Sequence, residues 1–257
     1  MVTSKDAKGK KGALVAMVRG TESSYVSSIL GKIPEKQRGK VKEVTLDMAA
    51  TMQKIASRCF PKAKQVTDRF HVQKLAYEAL QELRVAHRWE AIEQESKEIE
   101  LCREHGKAYV PHTLENGDTL KQLLARSRYL LFKQENQWTP SQAQRAEILF
   151  RHYPDLKQAY DLCRELGSIY GEKKGKGVAF TRLAKWYDKV ERSGFKSFNT
   201  ISRTIQAHYL TILNYFDSRS TNASAESFNA KIKAFRAQFR GVRNISFFLF
   251  RLANIYA

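Results

Sequence analysis

The chain has 257 residues, 42% of them hydrophobic, which suffices for one large or two small packed domains and argues against global disorder. Its 45 Lys and Arg against 26 Asp and Glu give a net charge of +19, more than solubility alone requires. Such an excess points to an anionic polymer or surface as partner, nucleic acid first, without specifying a reaction.

The basic N-terminus leads into a compact apolar run, Ala13 to Val18, behind a Lys/Gly turn. That pattern reads as a strand in a hairpin and not as a signal peptide. Ser23 to Ile33 reads as a helix. Val41 to Leu46 alternates as a short strand and ends in Asp47. Met48 to Cys59 has helical spacing and stops before Pro61. Gln65 to Thr67 is a second short strand, ending in Asp68. This first part is α/β.

From Phe70 onward the period changes. Val72, Leu75, Ala76, Ala79, Leu80 and Leu83 form the stripe of an amphipathic helix. Further helices are predicted over Thr119 to Lys133, Ser141 to His152, Asp155 to Ile169, Ala179 to Arg192 and Ile201 to Phe216. Pro140, Pro154, Gly194 and the Lys/Gly segment 171–177 punctuate them. Two last helices span Ala223 to Phe239 and Ile245 to Tyr256. No apolar run approaches the roughly 20 residues that cross a bilayer. Cys59, Cys102 and Cys163 show no CxxC spacing, so free thiols in a reducing compartment are expected, and a structural zinc site is not.

Three features have chemical potential. Asp47 stands at the C-terminal end of a strand, where α/β sheets gather ligands; capping the next helix explains it about as well. Glu226 heads a helix whose buried stripe is Phe228, Ile232, Phe235 and Phe239. Asn229, Lys233, Arg236 and Arg240 share the face of Glu226. An acid heading a basic stripe suits a metal beside a phosphodiester. Glu in a first helical turn and a solvated basic face is the commoner explanation. Asp68 and His71, three residues apart at a strand-to-helix junction, could orient one another, or Asp68 could simply cap the helix. Tyr129, Tyr209, Trp89, Trp138 and Trp186 could stack on bases, although aromatics at helical spacing are more often core.

In combination the features are more specific. Val44 to Met52, Phe60 to Arg84, Asn116 to Lys133 and Ser220 to Leu252 resemble the DDE transposases of the ISL3 insertion-sequence family, in order and in spacing. The resemblance implies α/β plus α: an RNase H-like catalytic core with a large all-helical insertion. Residues 1–70 and 218–257 would form the core, and 71–217 the insertion. Asp47 matches the second catalytic acid and Glu226 the third, both as metal ligands. Asp68 and His71 match a D-x-x-H signature, and Asn229 would support the site. Lys231, Lys233, Arg236, Arg240 and Arg243 would grip DNA.

The implied chemistry is cleavage and strand transfer of DNA, with Mg²⁺ or Mn²⁺ ions held about 4 Å apart by carboxylates. DNA ends and target, self-association and a bacterial cytoplasm follow as expectations. The family's first Asp lies on a strand upstream of the segment matching residues 1–20, and Asp6 is a poor substitute. With that first strand missing, the sheet is expected to rearrange locally or to leave a poorly ordered N-terminal hairpin, and catalysis to be weak or lost. Two other readings stand beside it: a degenerate transposase remnant that only binds DNA, and a basic helical nucleic-acid-binding scaffold.

Overall fold

A computed structural model describes the chain except for residues 8, 9, 11, 239, 240, 242 and 257 and the side chains of residues 253, 255 and 256. The chain divides into two compact units, residues 1–71 with 208–257, and residues 72–207.

In the first unit, β1 (Val2–Thr3) and β2 (Leu14–Ala16) pair antiparallel as the expected hairpin. A second sheet comprises β3 (Glu43–Leu46) and β4 (Lys64–Thr67), paired parallel with Leu46 opposite Thr67. Parallel neighbours need a crossover, and α3 (Ala50–Cys59) provides it. The described strands thus form two separate two-stranded sheets, not one five-stranded sheet. α1 (Ser23–Leu30) is capped by Glu22, whose oxygens accept from the Ser24 and Tyr25 amides at 2.9 and 2.7 Å. Val26 and Leu30 of α1 pack on Ile55 and Cys59 of α3 and on Phe60. A short helix follows α1, α2 (Glu35–Arg38). From its end, Arg38 donates 2.9 Å hydrogen bonds to the carbonyls of Ile33 and Cys59. One of those acceptors closes the C-terminus of α3.

The second unit is helical. α4 (Arg69–Glu104) begins in the first unit and runs for 36 residues, well past the stripe that ends at Leu83. Its second half buries little beyond Ala91 and is instead supported along its surface, for example by the Glu93–Lys97 pair at 2.8 Å. The helix expected over Thr119 to Lys133 is shorter. α5 (Leu120–Arg126) starts on a Thr119–Gln122 capping box and gives way to a 3-10 turn at Leu130–Phe132. α6 (Pro140–His152) and α7 (Pro154–Gly171) each start on a proline, whose missing amide costs nothing at a first helical position. α8 (Lys176–Ser193) stops at Gly194, which takes a left-handed conformation with φ 71°. α9 (Lys196–Ala207) completes the unit. Its centre is Trp186, Tyr160 and Phe198, all fully buried. The Trp186 indole donates to the Leu162 carbonyl at 2.9 Å, and the Tyr160 hydroxyl to that of Lys133 at 2.8 Å.

The single helix expected over Ile201 to Phe216 is two helices. His208 leaves helical geometry, and α10 (Tyr209–Ser218) starts afresh beyond it. The His208 carbonyl opens α10, accepting from the Ile212 amide at 3.0 Å and the Thr211 hydroxyl at 2.9 Å. The His208 ring also pairs with the Gln53 amide at 2.9 Å. The chain therefore re-enters the first unit at His208, ahead of the expected boundary at 218, because α10 packs along β4. α11 (Ala223–Gln238) and α12 (Ile245–Tyr256) follow. Among the described residues no helix is long and apolar enough to cross a membrane.

Candidate active site

The parallel register of β3 and β4 sets two carboxylates side by side. Leu46 faces Thr67, the Asp68 amide donates to the Leu46 carbonyl at 3.0 Å, and Asp47 and Asp68 are the next residues out. Both stand at the C-terminal edge of the pair, the edge where α/β sheets bind ligands. Asp47 is half-buried, and its Oδ1 accepts from the Ala49 amide at 3.0 Å. It thereby closes the turn into α3, which has no other side-chain cap.

Asp68 is 1% exposed. Its Oδ1 accepts from the Phe70 amide at 3.0 Å, at the start of α4, and its Oδ2 from the Asn222 amide at 2.7 Å. The expected coupling of Asp68 to His71 is thus confined to backbone, the His71 amide donating to the Asp68 carbonyl at 3.2 Å. The carboxylate itself engages the chain leading into α11.

α10 and the loop after it explain how Asn222 arrives there. α10 runs antiparallel to β4. The Thr211 and Thr67 hydroxyls lie 2.8 Å apart, the Asn214 side-chain amide donates to the Gln65 carbonyl at 2.9 Å, and Asp217 pairs with Lys64. The Asn214 bond satisfies a carbonyl on the strand edge that would otherwise need a further strand. At the end of α10 the Ser218 hydroxyl donates to Glu43 at 2.5 Å. Arg219 then takes a left-handed conformation, φ 53°, and reverses the chain. Lys5 donates to the Ser220 hydroxyl at 2.5 Å, and the returning strand of chain meets Asp68 at Asn222. α11 begins one residue later, with Glu226 exposed in its first turn.

Sequence reasoning missed this fastening. Its visible signal is the small polar run Ser218 to Asn222, rich in turn-forming groups.

The two faces of α11 fall as the spacing predicts. Phe228 and Phe235 are buried and Ile232 half-buried, while Glu226, Asn229, Lys233 and Arg236 are exposed. Lys231 and Arg243 are exposed as well. Phe239 and Arg240 lie outside the described residues. Asp6 is exposed in the hairpin turn. The carboxylates at this edge are oxygen donors of the kind that suits Mg²⁺ or Mn²⁺. They are not drawn into a cage: no group of three or more His, Cys, Asp or Glu that could hold a metal ion occurs among the described residues. Cys59, Cys102 and Cys163 are free.

No curated protein and no solved structure matches the chain. A family model described as Transposase, of the DDE type and the ISL3 group, matches residues 1–252. With nearly its whole length inside that match, the chain belongs to the ISL3 family of DDE transposases.

Proposed function

We propose that this transposase chain supplies Asp47 and Glu226 to a metal-dependent site that cuts and joins DNA strands, within an RNase H-like core. The observation that carries the reading is the Asp68 clasp. Asp47 stands next to Asp68 at the C-terminal edge of the parallel pair, and Asp68 holds the amide of Asn222, one turn ahead of Glu226. The parallel β3–α3–β4 unit supports an RNase H-like core.

In this reading Asp47 and Glu226 would hold divalent ions, which when bound would supply a nucleophilic oxygen at neutral pH and stabilise the departing oxygen of the phosphodiester. The cations on the exposed face of α11, Lys233 and Arg236, then oppose the phosphates of the strand, with Asn229 between them and the acid. Lys231 and Arg243 extend the positive surface. Asp68 acts through position, fixing the head of α11.

The test is nicking of an insertion-element end duplex by the chain with Mn²⁺, together with calorimetric titration of Mn²⁺ alone. Asp47→Asn and Glu226→Gln should each lower Mn²⁺ affinity and abolish nicking while leaving duplex binding intact. Unchanged Mn²⁺ affinity in both variants overturns the assignment. Duplex binding with no metal-dependent nicking in the parent chain supports the DNA-binding remnant instead.

A further inference from the structure

The helical unit carries a cluster of arginines that the catalytic reading does not use. Arg84 and Arg88 lie one turn apart on α4, on one face. Arg128 follows α5 and is tied to the same place: the Gln81 side-chain amide donates to the Arg128 carbonyl at 3.3 Å, while Gln81 Oε1 accepts from Arg84 Nε at 2.6 Å. Arg84 also donates to the Leu124 carbonyl at 2.9 Å.

We propose that Arg84, Arg88 and Arg128 form a phosphate-binding site for a nucleic-acid strand on the helical unit, with Tyr129 and Trp89 beside it as stacking surfaces for bases. This rests on the nucleic-acid part of the proposed function, and not on the cleavage step.

Arg84 is only 6% exposed, yet both oxygens it bonds are neutral. A buried charge is costly unless it is paired. The charged groups acting on Arg84 are Arg128 and Arg88, both positive. Burial, reinforced by those two neighbours, pulls its guanidinium below the ordinary arginine range. An anion at the cluster would offset all three charges, and the exposed guanidinium forks of Arg88 and Arg128 match phosphate oxygens two at a time.

The aromatics argue for a polymer over a free anion. Tyr129 is 68% exposed, with the Arg128 guanidinium 5.5 Å from its ring centroid. Trp89 follows Arg88 on α4 and is 63% exposed. Large rings held open beside cations are what an unpaired base stacks upon.

The experiment uses the full chain and fluorescein-labelled single-stranded and duplex oligonucleotides, read by anisotropy across a salt series. Arg84→Ala could unfold the chain, so the variant is Arg88→Gln with Arg128→Gln, both exposed. Affinity for both ligands should fall about tenfold or more, and the slope of log affinity against log salt should flatten by about 1.8 for the duplex and about 1.4 for the single strand. Tyr129→Ala should weaken single-strand binding about tenfold and spare the duplex. Arg103→Gln with Lys107→Gln removes the same charge elsewhere and should change affinity by less than about twofold.

Unchanged affinity and slope in the Arg88/Arg128 variant overturns the proposal, as does an equal loss in the Arg103/Lys107 control. Inorganic phosphate that binds at the cluster by phosphorus NMR without competing with the oligonucleotide would make it a small-anion site and overturn the strand reading. Asp47→Asn leaves this binding untouched, so failure here and failure of the catalytic reading are separate results.

Discussion

Asp68 and Asn222 are separated by most of the chain, yet a carboxylate oxygen of the first accepts the backbone amide of the second at 2.7 Å. The other oxygen takes the Phe70 amide, so one buried anion fastens the start of α4 and the approach to α11. The charge also complements the positive end of α4. Asp68→Ala leaves two amides without their acceptors, a cost of about 1–3 kcal/mol in denaturant unfolding. Deuterium exchange should then accelerate at Asn222 and the first turn of α11, and Asp68→Asn, which keeps one acceptor oxygen, should fall between. Undiminished protection at Asn222 in Asp68→Ala would show that something else seats this helix.

A second buried carboxylate organises the helical unit. Asp118 is ion-paired to Arg126 and accepts from Arg145 Nε at 3.1 Å. Burial alone would raise its pKa, but the hydrogen bonds and charges of Arg145 and Arg126 outweigh burial and hold it below the ordinary carboxylate value. A carboxyl depressed in the folded state stabilises the fold above its unfolded pKa, near 3.8. That contribution is lost as pH falls through the lower folded value. Asp118→Asn should therefore cost about 1–3 kcal/mol at neutral pH, because it removes the charge from the hydrogen bonds that the buried carboxylate accepts from Arg126 and Arg145. Its stability should also depend less on pH below 4 than that of the parent; parallel acid-unfolding curves would contradict the pairing.

The tryptophans separate core from surface. Trp186 is fully buried and hydrogen-bonded, whereas Trp89 is exposed. Trp186→Ala should cost about 3–5 kcal/mol of stability. Trp89→Ala should change stability by less than about 0.5 kcal/mol. Thermal unfolding of the two variants decides it. A large loss from Trp89→Ala would mean that its ring is packed and has no place as a base-stacking surface.

The readable parts of the chain were those governed by local rules. Apolar spacing located α6, α7, α8, α11 and α12, and prolines and Gly194 marked their ends, because caps and periodicity are short-range properties. The strand ends at Asp47 and Asp68 were legible for the same reason. Non-local events were not. The break at His208 coincides with a side-chain contact to Gln53, distant in sequence, and no glycine or proline announces it. The length of α4 is invisible to a search for a buried stripe, because its second half scarcely buries one. At the site, Glu226 and its basic face could be placed on a helix from spacing alone. The tie between Asn222 and Asp68 could not, since the polar run 218–222 signals a turn but a backbone amide leaves no mark of its partner on residue type.

His87 offers a pH-dependent test of the helical packing. Its ring lies between Asp155, at 2.5 Å from Nε2, and Glu90, at 3.0 Å from Nδ1, with the Tyr153 ring 4.7 Å away between centroids. Burial disfavours the imidazolium, but hydrogen bonds to Asp155 and Glu90 outweigh it, and the pKa is raised above the ordinary 6.5. A group raised in the folded state adds stability that is complete below its unfolded pKa and disappears as pH climbs through the folded value. The contact joining α4 to α7 should therefore weaken above pH 6.5, within the range where histidine alone among unperturbed side chains titrates. Urea unfolding of the parent should show a loss of stability across that window, and His87→Gln should abolish it. The His87 ring protons should titrate above 6.5 by NMR, and a lower midpoint would refute the bridge.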